Sequence, residues 1–136
     1  MKYTIKEYNN YNEQEILELY NSVGWSNYTK NINMLKGAYS NSLKTYGAYA
    51  NEKLVGIIRV VGDGYSVVFI QDILIFPEFQ RQGIGTALIQ RILDEYKDVY
   101  QKHLLTDNTD KTIQFYKSIG FMMDTDIDCR AFTKVY

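Results

Sequence analysis

FPEFQRQGIGTALIQRIL, residues 76–93, joins an apolar, strand-like run to an amphipathic one through Gln80-Arg81-Gln82-Gly83-Ile84-Gly85. From Gly83 onward Ile84, Ala87, Leu88, Ile92 and Tyr96 recur on one side at helical spacing, with Arg91, Asp94 and Glu95 on the other. Upstream, residues 66–76 are apolar on both faces except at Gln71 and Asp72, the pattern of a central strand. A strand that runs through glycines into a helix is a standard anion site. The first helical N–H groups lack internal partners, and the helix dipole puts partial positive charge there. Glycine lets a phosphate approach the main chain, and Arg81 adds a forked cation. A P-loop pattern occurs nowhere, and the third glycine of a dinucleotide fingerprint would fall at Leu88. What remains is Q/R-x-x-G-x-G/A, filled by Gln80, Gly83 and Gly85. On this hexad alone, a tight turn without a ligand is an equal reading.

Outward from this turn the pattern alternates between periods. Residues 1–8 alternate loosely as a strand would, and residues 13–23 predict a helix with Ile16, Leu17, Leu19, Tyr20 and Val23 on its apolar side, ended by Gly24. Ile32, Leu35 and Tyr39 sketch a weaker helix. Residues 47–50 and 54–61 read as strands joined by Asn51-Glu52-Lys53, and Gly62-Asp63-Gly64 is a further turn. Residues 103–106 predict a short strand, residues 110–119 a helix stopped by Gly120, and the segment from Phe121, with residues 130–136, closing strands. The order is mixed α/β (α+β). With no repeat, linker or low-complexity tract, one domain spanning residues 1–136 is the expectation.

The totals narrow the function. A net charge of -1 without a basic stripe argues against nucleic acid as the main ligand. No apolar stretch approaches the ~20 residues of a membrane helix, and residues 1–10 lack the apolar core of a signal peptide. A single cysteine, Cys129, cannot form an internal disulfide, which favours a reducing compartment and a cytoplasmic expectation. Cys129, on an expected late strand, reads as buried filler.

A second block, Asp107-Asn108 followed by Phe115-Tyr116-Lys117-Ser118-Ile119-Gly120-Phe121, stands one helix and one strand beyond the first. Together the blocks resemble the GNAT superfamily of acyl-CoA-dependent N-acetyltransferases, whose Q/R-x-x-G-x-G/A follows the fourth strand and whose later Asn precedes F-Y-x-x-x-G-F. The resemblance covers about residues 47–121. It implies the GNAT fold, a central, mostly antiparallel mixed sheet flanked by about four helices. It also implies acetyl-CoA as co-substrate, no metal, and direct attack of an amine on the thioester without an acyl-enzyme. By the same resemblance Ile73, Leu74 and Ile75 hold pantetheine through the main chain, one amide polarising the thioester carbonyl. Arg81, Gln82, Gly83, Ile84, Gly85 and Thr86 hold the pyrophosphate, Gln80 serves by its backbone, and Asn108 meets the pantetheine arm. Tyr116 matches the tyrosine that protonates the departing thiolate, with core packing beside Ile113 and Ile119 as the rival role.

A base is harder to name. An alkylamine near pKa 10 is mostly charged at pH 7, and freeing it costs about 4 kcal/mol. Asp72, acting through water from the apolar strand, is the candidate; a carboxylate satisfied by backbone or a lysine is the alternative. In a regular strand Gln71 would point to the opposite face. Lone His103 reads as solvated. Trp25 and Tyr28, in the segment that commonly shapes the acceptor pocket of this fold, would line an apolar or cation–π site, or Trp25 would anchor its loop in the core. The acceptor expected is a primary amine of a small molecule in an enclosed pocket. A protein N-terminus or lysine in an open groove is the rival, and a non-catalytic acyl-CoA-binding regulator is a reading from another class. Many GNAT proteins dimerise, and thirteen tyrosines offer surface for a homodimer.

Overall fold

The computed structural model describes residues 2–136; Met1, the first residue of the expected first strand, lies outside the described residues. The chain divides into two units, the first ending at Leu104 and the second running Leu105–Tyr136.

The first unit is a five-stranded sheet in simple chain order: β1 (Thr4–Glu7), β2 (Lys44–Ala50), β3 (Lys53–Gly62), β4 (Val67–Ile75) and β5 (Gln101–Leu104). The β1–β4 neighbours pair antiparallel and β5 joins β4 parallel, so the sheet is mixed and mostly antiparallel, as expected. Three helices, α1 (Glu13–Ser22), α2 (Ser26–Thr29) and α3 (Ile32–Ser40), separate β1 from β2; α4 (Ile84–Glu95) is the parallel crossover between β4 and β5. Caps set the helix starts: Asn12 accepts from the Glu15 N–H, and Asn31 from the Met34 N–H. The single turn α2, which apolar periodicity did not announce, carries Tyr28.

Only two residues, Asn51 and Glu52, link β2 to β3, both at positive φ, because Lys53 already belongs to the ladder. The middle strand is β3, buried from Leu54 to Val60, and β4 lies beside it with partners on both flanks. Cross-strand register assigns the two faces. Val60, Ile58 and Gly56 share a face with Ile70, Ile73 and Ile75, which α4 covers through Ile84; Arg59 and Ile57 share the other with Asp72 and Leu74, where Tyr20 of α1 reaches Asp72.

The second unit holds α5 (Asp110–Ser118) and a 3₁₀ turn at Asp124–Ile127. The closing strands expected after Phe121 are absent among the described residues. Residues 128–136 are irregular, and Phe132 is 94% exposed. Alternation makes a segment competent for a strand, but only a partner strand satisfies its backbone. Cys129 is correspondingly exposed rather than buried filler.

Candidate active site

The parallel ladder between β4 and β5 ends at Ile70 opposite Leu104, whereas the β3–β4 ladder continues to Ile75 opposite Gly56. From Gln71 to Ile75, therefore, β4 is paired within the sheet on one side only. The Phe76 N–H donates to the Val55 carbonyl at 3.0 Å. By the two-residue period Leu74 also turns its amide toward β3, and Ile73 and Ile75 turn theirs to the open side. An open strand edge of this kind takes an extended, amide-bearing ligand as an added strand. Of the expected trio, Ile73 and Ile75 thus offer main-chain groups outward, and Leu74 does not.

Beyond β4 the chain passes a 3₁₀ turn at Pro77–Phe79 into the glycine turn. Gln80 ties this turn to the strand end, its side-chain amide donating to the Ile75 carbonyl at 3.0 Å; the expectation gave it only a backbone role. Arg81 is exposed with φ 62°, and Gly83, at φ 84°, is the N-cap of α4. No side chain caps this helix, so the first N–H groups, with Gln82 and Thr86 exposed around them, stay open to an anion. The two glycines do different work. Gly83 supplies a left-handed backbone, and a Cβ on Gly85 would stand 3.2 Å from Ile75 Cδ1, so Gly85 permits close packing of α4 on β4. Ile84 is buried in that contact. Gly85→Val is expected to cost about 1–3 kcal/mol by overpacking, read as a lower thermal unfolding midpoint.

Asp72 is 1% exposed and Arg59 4%. Arg59 Nε donates to Asp72 Oδ2 at 2.7 Å, and the Tyr20 hydroxyl donates to the same oxygen at 2.7 Å. The Tyr39 hydroxyl lies 3.0 Å from that of Tyr20, Arg59 Nη1 donates to Ser42 Oγ, and the guanidinium stacks over Tyr39. Burial, with Tyr39 and Asp72 beside it, pushes the Tyr20 phenol far above its ordinary range, so it remains a donor. The expected water-linked base is instead the buried partner of a cation. β4 is also not regular here. Arg59 faces Asp72 and Val60 faces Ile70, which leaves Gln71 as the extra residue of a bulge.

Trp25 is 36% exposed and stacks on Tyr28, ring centroids 5.9 Å apart and 28° between planes. Tyr20 supports both rings from below, at 6.0 Å from Trp25 and 5.3 Å from Tyr28. Trp25 therefore forms a surface shelf instead of anchoring the core. Gln71 Nε2 lies 3.4 Å from the Tyr28 hydroxyl, so the shelf borders the bulge. Neither Arg59 nor Tyr20 was singled out from the sequence. The available signal was one lone cation and one lone anion in adjacent apolar strands, which the low dielectric of a core forces to pair.

In the second unit, Thr109 caps α5 and Asn108 is exposed just before it. The end of α5 explains most of the F-Y-x-x-x-G-F pattern. Gly120, at φ 100°, donates to the Lys117 carbonyl and Phe121 to that of Tyr116, while the Tyr116 and Phe121 rings meet edge-on at 5.9 Å. This is a Schellman stop with its apolar clasp. It holds Tyr116 half-buried, and burial raises its phenol above the ordinary value, opposed by a hydrogen bond with Thr106.

Comparison with known proteins agrees with this geometry. The model of the acetyltransferase (GNAT) family matches residues 8–121. The solved GNAT-family acetyltransferase SP0256 from Streptococcus pneumoniae TIGR4 is 40% identical, with a TM-score of 0.90 over 99% of this chain and 98% of its own. The uncharacterized N-acetyltransferase ycf52 of Gracilaria tenuistipitata var. liui is 32% identical over 126 residues, 88% of this chain and 67% of its own length. A Glycine max protein named histone acetyltransferase TAP1 is 28% identical over 125 residues, 82% of this chain, which spans only 52% of TAP1. An open strand edge running into an uncapped, glycine-led helix, inside a chain matched by the family model over most of its length, establishes that the protein belongs to the GNAT family of N-acetyltransferases.

Proposed function

We propose that this chain transfers the acetyl group of acetyl-CoA directly to a primary amine of a small molecule. The observation that carries the reading is the open half of β4 leading into the uncapped start of α4. In this reading pantetheine lies along Ile73 and Ile75 as an added strand, and the pyrophosphate meets the N–H groups and side chains from Arg81 to Thr86. An outward amide of β4 polarises the thioester carbonyl. The neutral amine attacks the carbonyl carbon, the C–N bond forms and the C–S bond breaks; Tyr116 donates its proton to the leaving thiolate, the nitrogen sheds one proton to water, and the phenolate regains a proton from solvent, while Asn108 contacts the pantetheine arm. The acceptor approaches over the Trp25–Tyr28 shelf, whose π-faces suit a ring or an alkylammonium flank.

A second reading, an amine displayed on a polypeptide, is favoured by the exposure of that shelf, since an open surface admits a large acceptor. The histone acetyltransferase name of TAP1 supports the same alternative. Thermal unfolding tests the shared premise. Acetyl-CoA at about 100 times its Kd adds about 2.7 kcal/mol and raises the midpoint by several degrees, whereas ATP and NAD do not. No shift with acetyl-CoA overturns the reading. With the shift in hand, CoA release measured on small amines and on lysine peptides separates the two acceptor classes.

A further inference from the structure

We propose that Asp72 is a positioning residue, one end of a buried bridge that holds the donor strand and the acceptor shelf in a single frame. The inference deepens the reading above and rests on it for the names of the two sides. The bridge is continuous. Arg59 crosses from β3 to β4 at the register shift and meets Asp72 Oδ2 at 2.7 Å; the same oxygen accepts from Tyr20 of α1; and the Tyr20 ring carries Trp25 and Tyr28. Outside the core the two sides meet again where Gln71, the bulge residue, approaches the Tyr28 hydroxyl. Donor strand and shelf are thus joined at two consecutive residues of β4.

Burial alone does not account for these groups. Apolar side chains of similar bulk would fill the space without desolvating two charges, and Asp72 Oδ1 has no partner among the described residues. What the ion pair and the Tyr20 hydroxyl add is direction. A hydrogen bond fixes the Tyr20 ring along one line, whereas packing tolerates sliding. Tyr39 and Ser42 orient the far ends of Tyr20 and Arg59 in the same way.

The protein contains one tryptophan, Trp25, so its emission reports the shelf without any assumption about activity. Two variants are compared with the wild type: Tyr20→Phe, which keeps the ring and removes the bridging hydroxyl, and the double change Arg59→Met with Asp72→Leu, which removes both charges at similar bulk. Circular dichroism checks folding, acrylamide quenching reads Trp25, and CoA release gives KM and kcat with whichever amine the wild type accepts. Both variants are expected to fold, to raise the Trp25 quenching constant, and to raise the acceptor KM about tenfold, the size of one lost hydrogen bond. The acetyl-CoA midpoint shift is expected to persist in both. Wild-type quenching in both variants overturns the bridge, because apolar fill would then hold the shelf equally well. Asp72→Asn separates positioning from proton abstraction: a positioning role keeps the shape of the kcat/KM profile against pH, whereas a base would lose the acidic limb with a rate drop of about 10²–10⁴-fold. Loss of that limb also overturns the proposal. If the wild type shows no acetyl-CoA shift, the functional reading fails by itself, and the quenching comparison still decides whether the bridge exists.

Discussion

Asp72→Ala is expected to lower the stability of the first unit by about 3–5 kcal/mol, a large part of the roughly 5–15 kcal/mol that holds a domain together. The loss is this large because the change leaves Arg59, 4% exposed, as an uncompensated buried charge. It also strips the Tyr20 hydroxyl of its carboxylate acceptor. A surface pair such as Lys44–Glu7 contrasts sharply. Both groups reach solvent there, and removing Glu7 should change stability far less. Denaturant unfolding reads the difference as a shift in midpoint at constant slope. The Arg59→Met, Asp72→Leu protein should recover most of the loss, since it carries no orphaned charge. A stability near wild type for Asp72→Ala alone would mean that Arg59 escapes to water and that the network is not closed.

Tyr116→Phe is the second large effect, and it falls on turnover instead of stability. Under the proposed role of Tyr116 in protonating the thiolate, removing its hydroxyl is expected to reduce kcat by about 10²–10³-fold, with acetyl-CoA binding retained. Folding should survive because the ring stays, with its edge-on contacts to Phe115 and Phe121 intact. The pH dependence has a definite sign. In the proposed role the group acts while protonated, and burial raises its phenol above the ordinary value of 10.0. Its contribution should therefore persist through the alkaline range in which a solvated tyrosine would already lose its proton. Steady-state CoA release from pH 6 to 10 checks both points. Unchanged turnover in the phenylalanine variant would remove Tyr116 from the chemistry and leave it as the C-terminal clasp of α5.

Features that depend on residues close together in the chain were legible from the sequence. The apolar spacing from Ile84 to Ile92 marked α4, Gly120 marked the end of α5, and the change of period after Tyr46 marked the strands. The turn into α4 was legible as an uncapped, glycine-led helix start because both features are local properties. Less visible was why each glycine is there, since Gly85 answers to Ile75, ten residues back and on another element. The expected closing strands failed for a related reason. The apolar residues among 130–136 state what the segment can do, not what is available to pair with it.

By itself, then, the sequence marked most elements from β1 to α5, because periodicity and turn chemistry act over a few residues, and its two motif blocks marked the family; the mixed sheet came only as what that resemblance implied, and α2 and the irregular end were missed. Only the tertiary structure decided that Asp72 belongs to Arg59, that Gln71 is extruded as a bulge, that β4 outruns β5 and leaves Ile73 and Ile75 facing outward, and that Trp25 lies on the surface over Tyr20. The physical reason is that all four are set by contacts between elements distant in the chain. The first three depend on strand register or on the length of a neighbouring strand, where a one-residue change moves a side chain to the other face of the sheet, and the fourth on how two helices pack.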